Sequence, residues 1–528
     1  MNAARPAVLQ LLPRLLLPVL LLGMACMPSA PRSPASAPPG DDRGTGQAPT
    51  GGKTRVTIVL GSEPISANPY GDSATPVYGM WMHMLEPLVY WNPHTAQNEP
   101  LLAESWRPLD EYTWEFKLRQ GIRFHDGSEL TAEDVVHSYT RIRDDPESKQ
   151  RSTLAHVERI EAPDKYTVRL TTRTPDVALP FRLNNRVIGS KAAYERYGPG
   201  EADKHPVGTG PYMFKEWVQG QRWVVEKNPN YWNPERRATF DEVVFRWIKE
   251  PQAAVTALLN GEVDVIPNVP PQLVDRIQAS SSAHVAATRG SRLMFLGMNS
   301  NYKPWDNVKV RQAVYHAIDR QALIQGVLGG RAYELNGPIG PGMYAYDPNL
   351  QPQYPYDPAA AKRLLAEAGY PNGLDVELQS PNGRYLKDKE ISEAIVSMLG
   401  QVGIRARLVT PEWSKIWPDI QAGRVPFYLV GRGSVEDPSE YLHQYFRTGV
   451  TPRLGFSDPM VDALLEAEQK EFDPAKRVEL LRRAMSRIME QAAMVFLFQY
   501  EDTYGVSNRV QFRPRGDEYI FAWDITPK

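Results

Sequence analysis

Gly431-Arg432-Gly433-Ser434-Val435 comes within one residue of the G-x-S-x-G turn that presents a nucleophilic serine, and misses it. The next two residues, Glu436 and Asp437, form a carboxylate pair of the kind used in acid–base work. Adjacent positions usually point in different directions, however, so the pair reads as loop charge. His125 beside Asp126 is the best-placed histidine of nine, and its position after a strand reads as a turn. No H-E-x-x-H zinc helix and no phosphate-binding P-loop occurs. The only cysteine is Cys26, which excludes an intrachain disulfide, a structural Cys–zinc site and thiol catalysis in the body of the chain. With 12 Trp and 25 Tyr and no assembled nucleophile or metal cluster, the chain reads as a binder, not an enzyme, and no cofactor is expected. Aromatic rings supply large contact areas with a polar handle, which suits clefts as well as cores.

Cys26 invites a different chemistry. Leu15-Leu16-Leu17-Pro18-Val19-Leu20-Leu21-Leu22 follows Arg5 and Arg14 and stops at Gly23-Met24-Ala25-Cys26. A positive start, a short apolar run and small residues before a break describe an export signal. The run is shorter than the ~20 residues needed to cross a bilayer. A lone cysteine at the break predicts a lipoprotein whose mature N-terminus is lipidated Cys26. Gly23 stands where such signals usually carry leucine, and cleavage near Ala25 with an incidental Cys26 is the alternative. Residues 27–52, almost all Pro, Ser, Ala, Gly, Thr, Asp and Arg, have no apolar face to bury and predict a disordered tether. About 26 such residues reach about 28 Å as a flexible coil.

The remaining ~475 residues are enough for two or more lobes. A net charge of −2 without a basic block argues against nucleic acid as a partner. Alternating β-branched residues predict strands at Arg55–Leu60, Tyr112–Leu118, Ile122–Phe124, Tyr166–Leu170, Arg222–Glu226 and Asp241–Trp247. Thr131 and Asp134 predict a capping box that opens a helix. Helical spacing covers Asn307–Leu328, and Asp-Pro pairs at 357–358 and 473–474 start two further helices. Asp375–Leu378 and Arg405–Leu408 flank the helix Ile391–Leu399, and strand–helix–strand at that spacing predicts parallel pairing.

Several stretches resemble the solute-binding proteins of bacterial ABC importers, in the family that takes up peptides, nickel chelates, opines and related solutes. They include Leu101-Leu102-Ala103-Glu104-Ser105-Trp106, Gly121 to Gly127, Val207-Gly208-Thr209-Gly210-Pro211-Tyr212 and Asn228-Pro229-Asn230-Tyr231-Trp232. Gly261 to Asp264, Val310 to Ala313 and Ala366 to Tyr370 complete the set, which spans nearly all of residues 54–526. The resemblance implies an α/β, two-lobe periplasmic-binding-protein fold (cluster C type) with an extra subdomain on lobe I. Carried onto this chain, lobe I is residues 54–85, 205–290 and 498–528. The extra subdomain is 86–204, and lobe II is 291–497. It further implies a monomer in the periplasm or at the cell surface, delivering an oligopeptide or related small solute to an ABC permease. The lipid anchor at Cys26 would hold it to a membrane.

Peptide-binding members carry Trp-x-x-Asp where this chain has Arg432-Gly433-Ser434-Val435-Glu436-Asp437, and their Asp pairs with the peptide's amino group. Arg432 and Ser434 stand in the Trp and Asp places, so free-amine peptides lose their usual partner unless Glu436 or Asp437 substitutes. Arg432 could instead read a carboxylate or phosphate; an internal ion pair or a solvated loop position is the other reading. Position alone adds Glu63, Asn68, Tyr78, Trp81 and Met82 from lobe I. Arg384, Tyr385, Trp413 and Trp417 join them from lobe II. An oligosaccharide, opine or chelate ligand stays open beside the peptide.

Overall fold

In the computed structural model, residues 54–528 are described, apart from Ser73 and Ser434. The proposed signal, Cys26 and the tether therefore lie outside the described residues. One mixed sheet of eleven strands runs through the body. At one end Arg55–Leu60 lies between Glu242–Trp247 and Val265–Ile266, parallel to both, with Arg222–Lys227 and Tyr212–Val218 beyond. At the other end Phe427–Arg432, Leu374–Gln379 and Ile404–Val409 follow in that order. Leu374–Gln379 and Ile404–Val409 pair in parallel, as the intervening helix Asp388–Gln401 requires.

Two long antiparallel strands, Ala283–Met298 and Met494–Ser507, join these ends. Their pairing breaks between Arg289 and Leu293. At the break Gly290 accepts a hydrogen bond from the Gln499 amide, and a Cβ there would lie 2.5 Å from Asp502 Oδ1. Two main hydrophobic cores lie to either side. One draws only on residues between Leu293 and Tyr500, and the other on Val56–Val265 and Tyr504–Ile525. This is a two-lobe α/β fold. A separate four-stranded sheet, in the order Ala103–Pro108, Thr113–Leu118, Thr167–Thr172, Val157–Asp164, shares its core with the first lobe.

Most predicted elements are present. Asp134 Oδ2 accepts the Thr131 backbone N–H at 2.9 Å as the capping box requires, and the helix runs Ala132–Asp144. Two expectations are corrected. Ile122–Phe124 forms no strand, only an isolated bridge from Arg123 to Glu129. The single helix over 307–328 is two, Val308–Ala317 and Arg320–Gly326, because Asp319 caps a new start by accepting the Ala322 N–H at 2.8 Å.

The glycine and aromatic motifs prove to interlock. The buried Glu86 carboxylate accepts from Thr209 Oγ1 (2.8 Å), Tyr231 Oη (2.6 Å) and Trp232 Nε1 (2.8 Å). Burial raises its pKa, and the three donors oppose that rise. Asn228 donates to the Gly210 carbonyl at 3.1 Å. A Cβ at Gly208 would stand 2.1 Å from Met84 O, so only glycine lets these segments touch. Replacing Gly208 by alanine is expected to cost about 1–3 kcal/mol of stability through overpacking, read as a lower denaturation midpoint at unchanged slope.

Candidate functional site

A cavity of about 610 Å³ opens between the two cores. Tyr78, Gln150, Arg186 and Tyr519 line its first-lobe wall, and Arg384, Tyr385, Trp413, Trp417 and Arg432 line the wall opposite. Arg292, from the long strand, lies at its floor.

The second-lobe wall is a stack of rings and cations. Trp413 and Trp417 lie 5.0 Å apart at 18°, at the start of the helix Trp413–Gln421. Arg384 sits 5.2 Å over Trp413, and the buried Arg453 sits 4.9 Å over Trp417. Guanidinium groups are attracted to the negative faces of such rings. Tyr385 donates to the Gly431 carbonyl at 3.1 Å, tying this wall to the strand Phe427–Arg432.

Cations dominate the lining, and they divide by whether they have an acidic partner. Arg292 donates to Glu518 (2.8 Å), Arg515 to Asp517 (3.0 Å), and Arg432 to Glu440 (3.1 Å) and Gln444 (2.6 Å). Arg186 and Arg384 have no carboxylate in ion-pair range among the described residues. Arg186 is nearly buried and donates only to Gln150 Oε1 (3.0 Å) and Thr153 Oγ1 (2.8 Å), which leaves its Nε without a partner. Arg453 has two unpartnered guanidinium nitrogens and is 4% exposed. Arg186 and Arg453 are buried, where an uncompensated charge is costly, whereas Arg384 is solvent-exposed. Arg186 and Arg384 line the cavity and make those points of its walls positive.

Among the acids, Glu436 lines the cavity with no cation in ion-pair range among the described residues. Burial, with Asp517 and Glu518 nearby, pushes its pKa up to about 7. Asp437, its neighbour, turns the other way. It takes a two-pronged ion pair from Arg477 (2.8 and 2.9 Å), and Arg477 also holds Glu468 at 3.1 Å. That buried network anchors the loop that carries Glu436, and it leaves Asp437 no free oxygen pair for a solute.

The remaining sequence candidates fall as follows. Tyr78, Met82, Gly433 and the four lobe II residues Arg384, Tyr385, Trp413 and Trp417 line the cavity with Arg432 and Glu436. Ser434 lies outside the described residues. Trp81 is 1% exposed and packs edge-on against Trp223 at 5.0 Å, inside the first core. Glu63 accepts from Trp217 Nε1 (3.0 Å) and the Gly220 N–H (2.9 Å). Asn68 accepts the Tyr70 N–H at 2.9 Å. Neither lines the cavity. His125 is held in the Gly208–Gly210 turn, and burial lowers its pKa to about 4, so it is a neutral scaffold group. Arg186, Gln150, Arg292 and Tyr519 escape sequence reasoning, since each sits outside any motif.

Comparison with known proteins places this geometry. Residues 97–453 match the model of the bacterial extracellular solute-binding proteins, family 5 (middle region). The chain is 31% identical over 412 residues to the glutathione-binding protein GsiB of Pectobacterium atrosepticum, covering 75% of this chain and 79% of the relative. It is 28% identical over 478 residues to heme-binding protein A of Haemophilus influenzae, covering 83% and 84%. The solved structure of HbpA2 from Haemophilus parasuis superposes with a TM-score of 0.81 at 24% identity, over 90% of this chain and all of that one. The chain belongs to the bacterial extracellular solute-binding proteins, family 5.

Proposed function

We propose that this protein captures a small acidic solute between two lobes that close on it, and hands it to an ABC permease from a Cys26 lipid anchor. The lobes divide where the long strands cross, near residues 290 and 498. The observation that carries the solute class is the pair of cavity-lining arginines with no carboxylate in ion-pair range among the described residues, Arg186 on one wall, with Glu440 as a more distant acid, and Arg384 on the other. A solute carboxylate touching either would gain charge-assisted hydrogen bonds. A ligand that touches both would favour the closed form by its differential affinity. Relatives named for glutathione and heme, both carboxylate-bearing, support this reading. A zwitterionic peptide with its ammonium on Glu436 is the second reading, favoured by that carboxyl's lack of a cation.

Three outcomes follow. With glutathione as the probe in calorimetric titration, Arg384→Met and Arg186→Met each weaken binding by roughly 10–100-fold, the loss expected for one charged hydrogen-bonding group. Unchanged affinity in both variants would sink the acidic-solute reading. The affinity of the parent protein for an anion falls as pH rises through about 7, because ionising Glu436 adds a negative charge beside it. Glu436→Gln flattens that profile, whereas affinity rising with pH would favour the ammonium reading. Replacing Cys26 by serine moves the protein from the membrane fraction to the soluble fraction; continued membrane association would remove the lipid anchor.

A further inference from the structure

Beyond the solute contacts, the cleft is bridged by the protein itself. Glu440, on the helix Ser439–Phe446 of the second lobe, accepts from Arg432 of the same lobe at 3.1 Å. Its other oxygen accepts from Arg182 at 2.9 Å, and Arg182 belongs to the first-lobe side. All three side chains line the same cavity. Arg182 is aimed from behind by Asp176 (2.8 Å), which also takes Trp114's neighbourhood into the joint, since Trp114 Nε1 donates to the Asp176 carbonyl at 2.9 Å. Close by, the Val177 N–H donates to the Gln469 carbonyl at 3.1 Å. Phe472 of the second lobe packs edge-on against Trp114 at 5.6 Å.

We infer that Glu440 and Arg182 form a latch that holds the two lobes together before any solute arrives, and so sets the fraction of closed protein that the solute meets. The inference rests on the closing-lobe reading above. Its physics is limited and therefore readable. Half of the Glu440 side chain is open to solvent while that of Arg182 is largely buried, and even an exposed ion pair shifts an equilibrium by up to about fivefold. Such a pair is weakened by salt, whose screening length falls to about 3 Å at 1 M. The Val177–Gln469 bond and the Trp114–Phe472 contact give the latch a seat that does not depend on charge. Because the latch acts on the open–closed ratio, its removal lowers apparent affinity for every solute by one common factor.

The test measures closure without any solute. On a Cys26→Ser background, spin labels at Glu147→Cys and Lys415→Cys report the distance between lobes. Glu440→Gln should raise the long-distance population by two- to fivefold, and 1 M NaCl should do the same to the parent. Arg182→Gln should match Glu440→Gln, and the double variant should add nothing further. Distributions identical in parent and Glu440→Gln overturn the latch, as do additive effects of the two substitutions. If the distribution stays one narrow peak in every variant, in salt and with glutathione added, the lobes do not move and the closing-lobe reading falls with the latch. If glutathione compacts the parent while Glu440→Gln leaves the unliganded protein unchanged, only the latch falls.

Discussion

Two strands belong to both lobes, and everything else in the molecule is arranged around that sharing. Ala283–Met298 and Met494–Ser507 pair for seven residues on one side of Gly290 and resume beyond Arg292. Each lobe therefore has its own core, but neither owns its own edge of the cleft floor. The missing ladder bonds at the break lower the resistance to twisting there. Gln499 and Asp502 reach across from the opposite strand and keep the unpaired stretch filled. The walls of the cavity can then differ in chemistry without altering the joint.

The most recognisable residues serve this scaffold and not the solute. Glu86 gathers a hydroxyl, a phenol and an indole from two distant motifs, and His125 ties a third motif to the same turn. Buried polar groups must find partners, so residue identity at such points is tightly constrained. The cleft is built from residues with looser constraints: stacked tryptophans, arginines over rings, one carboxyl held by a neighbour's ion pair. Differences in solute among similar folds have room to arise there.

That division explains what could be read in advance. The strand and helix order, the parallel pair around 388–401 and the aromatic wall at Trp413 and Trp417 follow from period, caps and family position. Trp81 was misleading because a tryptophan near a cleft looks the same in sequence as one packed on Trp223 behind it. Asp437 and Glu436 are adjacent and alike, yet the partner that separates their roles, Arg477, lies forty residues on and belongs to another helix. Arg186 carries no motif at all; its meaning comes from the carboxylate it lacks, which only three-dimensional neighbours reveal. The apolar spacing over 307–328 runs unbroken, so the second start at Asp319 shows only in the hydrogen bond it accepts from the Ala322 N–H.

The division of the cores also dictates an order of assembly. The core that begins with Val56 is not complete until Tyr504 to Ile525 are in place, and Ile525 closes a small sheet with Phe512. A chain threaded out from its first residue must keep that half unfinished while more than two hundred intervening residues emerge. The half between Leu293 and Tyr500 has no such wait. The amino-terminal half of the sequence is thus the last to gain its native stability, and the loss of a short carboxy-terminal piece would unsettle the lobe farthest from it in the chain.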